Sequence, residues 1–218
     1  MKTASYEVLK IKDFRNFLSG RSFGIIAIQI QAVIVGWQVY EITRDPLSLG
    51  LVGLFEIIPS MSVALFAGHL ADRVSRKKII QIAISILTIC SLLLFILSSG
   101  MISSFSGSAI PIYSVIVLSG FARGFLGASL SSFMAQLVPK NLYHNSAAWN
   151  STAWQISAVT GPFVGGFLYS LGAKLSSSKI SISYLQWVNG ASLAYSVDLS
   201  LMLIALFFFS RVESKPLP

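Results

Sequence analysis

The chain has 218 residues, of which 54% are hydrophobic and 11% charged, with a mean hydropathy of +0.74. An apolar share above half excludes an ordinary water-soluble domain of this size and makes lipid the solvent. The net charge of +8 sits in short clusters between apolar runs, with no basic face carrying interleaved aromatics, so nucleic acid is excluded as a partner.

Residues 1–16 are polar and of mixed charge, and no short apolar core with a small-residue cleavage site follows them. They are expected to form a cytoplasmic N-terminal segment ahead of a retained first span. Apolar stretches near the ~20 residues needed to cross a hydrocarbon core then run over 17–41, 47–67, 79–99, 110–137, 147–171 and 189–210. Backbone groups in lipid must bond within their own segment, and alternating strands are absent, so six transmembrane helices are predicted over 17–210. Residues 211–218 would be a cytoplasmic tail. The connectors after the third and fifth spans are Ser/Gly-rich and too short to be domains.

In the first span, Gly24, Ala27, Gln31, Gln38 and Glu41 fall on one helical face. A polar stripe in lipid is expected to line a cavity. Trp37 reads as a member of the interfacial aromatic belt. The second span carries Glu56 and ends in "GHLADRVSRKK", residues 68–78. Arg73, Arg76, Lys77 and Lys78 there suit the positive side of a membrane. Charge placement alone does not explain Gly68, which would let another backbone approach closely, or Asp72, expected to cap the third helix. The third span holds Cys90, the one cysteine, so there is no disulfide framework.

The fourth span places Arg123 in "LSGFARGFLGAS", about twelve residues from either helix end. An intramembrane arginine costs several kcal/mol unless it faces a partner or a wet cavity, which makes it a functional candidate. The fifth span contains "SAVTGPFVGGFLY", where Gly161, Pro162, Gly165 and Gly166 interrupt regular helix bonding and present a small-residue face. The sixth carries Asp198 in "AYSVDLSL". Glu56, Arg123 and Asp198 all fall near the midplane, the depth at which transporter sites are built. Desolvation and a neighbouring cation pull a carboxyl's protonation in opposite directions, so Glu56 first, and Asp198 second, are candidate proton carriers. Gln31 and Gln38 join them as candidates for the proton and substrate pathway.

Twelve of the sixteen Lys and Arg residues fall on the side of the two termini and three on the other, Arg123 lying within a span. That asymmetry predicts a multi-pass protein of the bacterial cytoplasmic membrane with both termini inside. "LSGRSFG" from 18 and "LSGFARG" from 118 begin corresponding positions in two three-helix halves.

"GHLADRVSRKK" resembles the loop signature of the major facilitator superfamily, departing from it at Ser75, where the family usually has a second glycine. The resemblance implies that Gly68, Asp72, Arg73, Arg76 and Lys77 form a latch that holds one conformational state. Arg123 followed by Gly127 resembles the superfamily's fourth-helix motif, with Leu126 in place of a polar residue, and implies a role near the proton or substrate path. Gly161-Pro162-x-x-Gly165-Gly166 resembles the fifth-helix signature of its antiporters, with Ser157 replacing the leading glycine, and implies export. "DFRNFLSGRS" and the run "QAVIVGWQVYEITRDPLSLGLVGLFEIIPS" are most similar to the bacterial efflux branch that includes the enterobactin exporter and macrolide efflux proteins. The resemblance covers nearly all of this chain and half of a twelve-span member.

The implied fold is all-α, the N-terminal bundle of a facilitator built from two inverted three-helix repeats. The implied function is proton-coupled efflux of a small molecule, such as a drug or siderophore, by alternating access. The partners expected are the lipid bilayer, protons, the substrate, and either a C-terminal six-helix half or a second copy. A truncated or degenerate non-transporting membrane protein, or a half that only binds partners, is the alternative, and it predicts that Glu56 and Arg123 tolerate neutral replacement. His69 and His144 are isolated, with no cysteine or paired-carboxylate constellation around them, so neither an enzyme nor a metal or other cofactor is expected.

Overall fold

The computed structural model describes residues 2–100, 108–177 and 189–213, and the side chains of residues 2–5, 65 and 67–73 lie outside the description. Eight elements follow one another: helices α1 (Lys2–Lys10), α2 (Lys12–Thr43), α3 (Leu47–Arg73), α4 (Arg76–Ser98) and α5 (Ile110–Leu137), a 3-10 turn (Lys140–Leu142), then α6 (Tyr143–Ser177) and α7 (Gly190–Arg211). Six of them, α2 to α7, are long and apolar enough to cross a membrane. No strand occurs among the described residues.

Local chemistry sets the helix ends. α2 stops where Arg44 turns left-handed (φ 54°) and donates its N–H to Tyr40 O at 2.8 Å. The Asp45 carboxylate then accepts from Leu47 N at 3.0 Å, a tight side-chain turn that starts α3. α4 runs out into Gly100, whose φ of +72° suits a residue without Cβ. Asn189 opens α7 with a reciprocal cap, accepting from Ser192 N at 2.8 Å while Ser192 Oγ accepts from Asn189 N at 2.9 Å. α6 passes through Pro162 as one helix.

Two sequence expectations change here. α2 begins at Lys12, earlier than the apolar count of 17 suggested, because Phe14 and Phe17 already face the core. α3 extends through Arg73, so Asp72 lies in the last turn of that helix and is not the cap of the next. Ser75 takes the N-cap position, with no side-chain capping bond. Its φ of −56° is one that any residue adopts, so the missing glycine at 75 imposes no strain.

The helices pack by exchange between the two three-helix units, α2–α4 and α5–α7. α2 packs mainly on α7 and α6, and α5 mainly on α4 and α3. The first helix of each unit thus lies against the second and third of the other, the pattern that a two-fold relation between inverted units produces. α2 and α5 lie on opposite chain directions by parity and touch each other only lightly. α3 and α6 sit at the two ends of this arrangement, and their outer faces are apolar and exposed.

The core has two blocks. One holds Phe17 edge-on to Phe133 and Phe209, with ring centroids 6.0 and 5.9 Å apart, near the Lys/Arg-rich end. The other holds Ile30, Ile34, Ile112, Ile116 and Tyr195 toward the opposite end. Gln31, Ser91, Ser119 and Asp198 are buried where the blocks meet. Asp13 at the start of α2 accepts from Glu213 N at 3.1 Å, so both described ends lie at the same end of the bundle.

Candidate functional site

Glycine brings the ionisable groups together. A Cβ on Gly120 would stand 2.5 Å from Glu56 O, and one on Gly124 would stand 2.6 Å from Ser60 O. These two notches, one turn apart on α5, seat the backbone of α3 directly against α5. Arg123 lies beside Gly124 in sequence, and its guanidinium therefore reaches the α3 carboxylate: Nη1 donates to Glu56 Oε1. From the other side Nη2 donates to Gln31 Oε1 of α2 at 3.0 Å. One arginine thus joins three helices. Its side chain is 14% exposed and that of Glu56 26%, so the pair is desolvated without being sealed.

Asp198 does not join this cluster. It is fully buried on α7 and faces Ser91 of α4, whose hydroxyl donates instead to Leu87 O at 3.1 Å. Neither carboxylate oxygen has a hydrogen bond. α7 packs on α2, α4 and α6, which places Asp198 inside the bundle. Gln31 Nε2 and Ser119 Oγ are also buried without a protein partner. Gln38 belongs elsewhere, donating to Ser98 Oγ at 2.8 Å and accepting from Tyr195 Oη at 3.0 Å in a network toward the opposite end. The polar stripe of α2 is divided: Ala27 and Gln31 are fully buried, Gly24 lines a cavity toward the Lys/Arg-rich end, and Gln38 and Glu41 line another of about 460 Å³ at the opposite end. At that opposite end Tyr169 Oη and Trp37 Nε1 both donate to Glu41, the latter at 3.2 Å.

Of the loop expected to act as a latch, residues 68, 72 and 73 lie outside the described side chains. Arg76 Nη1 donates to Ser132 O of α5 at 3.2 Å, and Lys77 Nζ to Ser210 O of α7 at 3.1 Å. The start of α4 is therefore pinned to two neighbouring helices. In the fifth-span motif, Gly161 and Gly165 are notches for α2: a Cβ at 161 would meet Gln29 Cβ at 2.4 Å and one at 165 would meet Ile30 Cα at 3.3 Å. Gly166 faces open space.

One functional candidate escaped the sequence. Arg21 was counted among the charges outside the spans, but it lies within α2, half-buried, and lines a cavity with Arg123. The cavity, of about 240 Å³, lies between α2 and α5 and is otherwise mostly apolar. The repeat carried the signal, because aligning "LSGRSFG" with "LSGFARG" puts one arginine near the same place in each unit.

The sequence pattern of the Major Facilitator Superfamily matches residues 17–218. The chain belongs to that superfamily. Among curated relatives, the facilitator chain is 24% identical over 141 residues to a staphyloferrin A transporter of Staphylococcus aureus (strain NCTC 8325 / PS 47). The matched stretch is 63% of this chain and 34% of that relative, so the chain spans well under two thirds of the protein it resembles. No solved structure matches it. Membership makes it a transporter-family membrane protein rather than an enzyme.

Proposed function

We propose that this chain is the N-terminal six-helix bundle, residues 17–210, of a proton-coupled exporter that works by alternating access in the bacterial cytoplasmic membrane, with both termini inside. The carrying observation is the Arg123 guanidinium shared between Glu56 of α3 and Gln31 of α2. A carboxylate held by a buried arginine is a two-state element. Protonating Glu56 removes one charge and frees the Arg123 guanidinium from α3, while deprotonation restores the pair. Three helices meet at that arginine, so the change in bonding is also a change in helix contacts. The unpaired oxygens of Asp198 make it a second proton candidate, and Gln31 is the polar partner on the path.

Export rather than uptake is supported by the Gly161-Pro162-x-x-Gly165-Gly166 run, and a siderophore as cargo by the name of the staphylococcal relative, whereas a drug rests on the resemblance to macrolide efflux proteins alone. A second six-helix half, or a second copy of the chain, is the partner against which the bundle moves, and the loop from Gly68 to Lys77 is the latch. The test uses the full natural protein in liposomes loaded with a pH-sensitive dye and challenged with staphyloferrin A or erythromycin. The wild type should couple substrate flux to proton flux. Glu56→Gln should bind substrate yet move no protons; proton-coupled flux in that variant removes Glu56 from the mechanism.

A further inference from the structure

The cavity between α2 and α5 carries one positive charge with no counter-charge opposite it among the described residues. Arg123 is paired with Glu56, but no hydrogen bond or ion pair reaches Arg21 among the described residues, and its Nε is buried without a partner. Arg123 Nε, on the other guanidinium lining the cavity, is likewise buried and unpartnered. Gly24 and Gly127 clear space between the two arginines' helices, a Cβ at Gly127 meeting nothing within 4 Å. Trp154 and Leu126 supply an apolar wall.

Only Nε of the half-buried Arg21 is sealed, so its charge reaches the cavity, and a cation partly withdrawn from water without a counter-charge favours an anionic ligand. A planar carboxylate meets its donor geometry and cancels its charge, whereas a cation is repelled. We infer that this cavity is the site of an organic anion, a carboxylate on an apolar body, with Arg21 as its charge partner and Trp154 packing against the apolar part. The inference rests on the transport reading for its biological sense, since it names the class of cargo.

Binding is measured separately from transport, so the two readings fall separately. The full natural protein in phosphatidylcholine nanodiscs is titrated with radiolabelled 1-naphthoate, against neutral 1-naphthamide and cationic 1-naphthylmethylammonium as competitors. Naphthoate should bind, and neither competitor should displace it. Arg21→Gln should weaken binding about tenfold or more, the loss expected of a charged hydrogen bond, while Arg21→Lys, which keeps the charge and loses the planar fork, should bind between wild type and Arg21→Gln. The melting temperature of Arg21→Gln without ligand should hold or rise, because a cation without a partner has been removed; a merely structural arginine would lower it. Equal affinity for naphthamide and naphthoate, or undiminished naphthoate binding in Arg21→Gln, overturns the inference. So does phosphatidylglycerol that co-purifies with the wild type but not with Arg21→Gln and blocks naphthoate, which would give the site to a lipid headgroup. If naphthoate fails while the Glu56 experiment succeeds, only the cargo class is lost.

Discussion

At the scale of single residues, missing side chains govern the site as much as the charged ones do. Gly124 can be replaced only by moving α3, because its Cβ would strike Val63 Cγ2 at 2.5 Å as well as the Ser60 carbonyl. Gly124→Ala should cost about 1–3 kcal/mol, the range for overpacking a filled interior, and loosen the Arg123–Glu56 contact. Gly127→Ala, on the same helix with no neighbour within 4 Å, should leave the melting temperature unchanged or slightly higher. A thermal melt of the two variants side by side reads the difference. Arg123 and Glu56 were legible in the sequence because an ionisable group inside a long apolar run has few reasons to be there. Arg21 was not, because it sits in the polar first third of its helix, where a charge reads as part of the flank. Asp198 could be found but not placed: its isolation from Arg123's hydrogen bonds depends on which helix α7 packs against, and no periodicity carries that.

At the scale of helices, the six apolar runs each became a helix, and the errors lie at polar ends. The α3 helix outruns its apolar stretch because its last residues, polar as they are, continue the same backbone bonding. Turn and cap chemistry is more local and more exact in its consequences. Asn189 both caps α7 and donates its Nδ2 to Ser98 O at the end of α4. Asn189→Ala should lose cap and tie together, with the cap alone worth about 0.5–2 kcal/mol. Asn189→Asp keeps the capping oxygen and gives up only the donor, so it should melt between wild type and Asn189→Ala. Equal melting of the Asp and Ala variants would show that the tie to α4, not the cap, carries the stability.

At the scale of the molecule, α3, α6 and α4 all present exposed apolar faces, which lipid or a second bundle can cover. Met61 is 70% exposed and Val159 75%, on helices at the two ends of the packing order, while Ile82 of α4 is 60% exposed. If a second bundle covers α3 and α6, a cysteine at Met61 or Val159 in the full natural protein should resist both water-soluble and lipid-phase maleimides. A cysteine at Ile82 should react with the lipid-phase reagent alone. Lipid-phase labelling at all three positions would mean that no protein partner covers those faces. The fold class was readable from composition and span count, and the loop motif pointed to the superfamily. The exchange of partners between the two three-helix units was not, since it is a property of contacts between segments far apart in the chain.

That exchange sets an order of events at the ribosome. α2 finds its principal neighbours only when α6 and α7 have been made, and α3 only when α5 has. Glu56 therefore enters the bilayer 67 residues before Arg123 exists to meet it, and Gln31 waits longer, 92 residues, for the same guanidinium. The first three helices are held by the insertion machinery or by lipid rather than by one another, so the bundle matures late and in two stages, α3 and α4 on α5 first and α2 with α6 and α7 last. Nascent chains arrested before residue 123 should be the ones that quality-control proteases remove fastest.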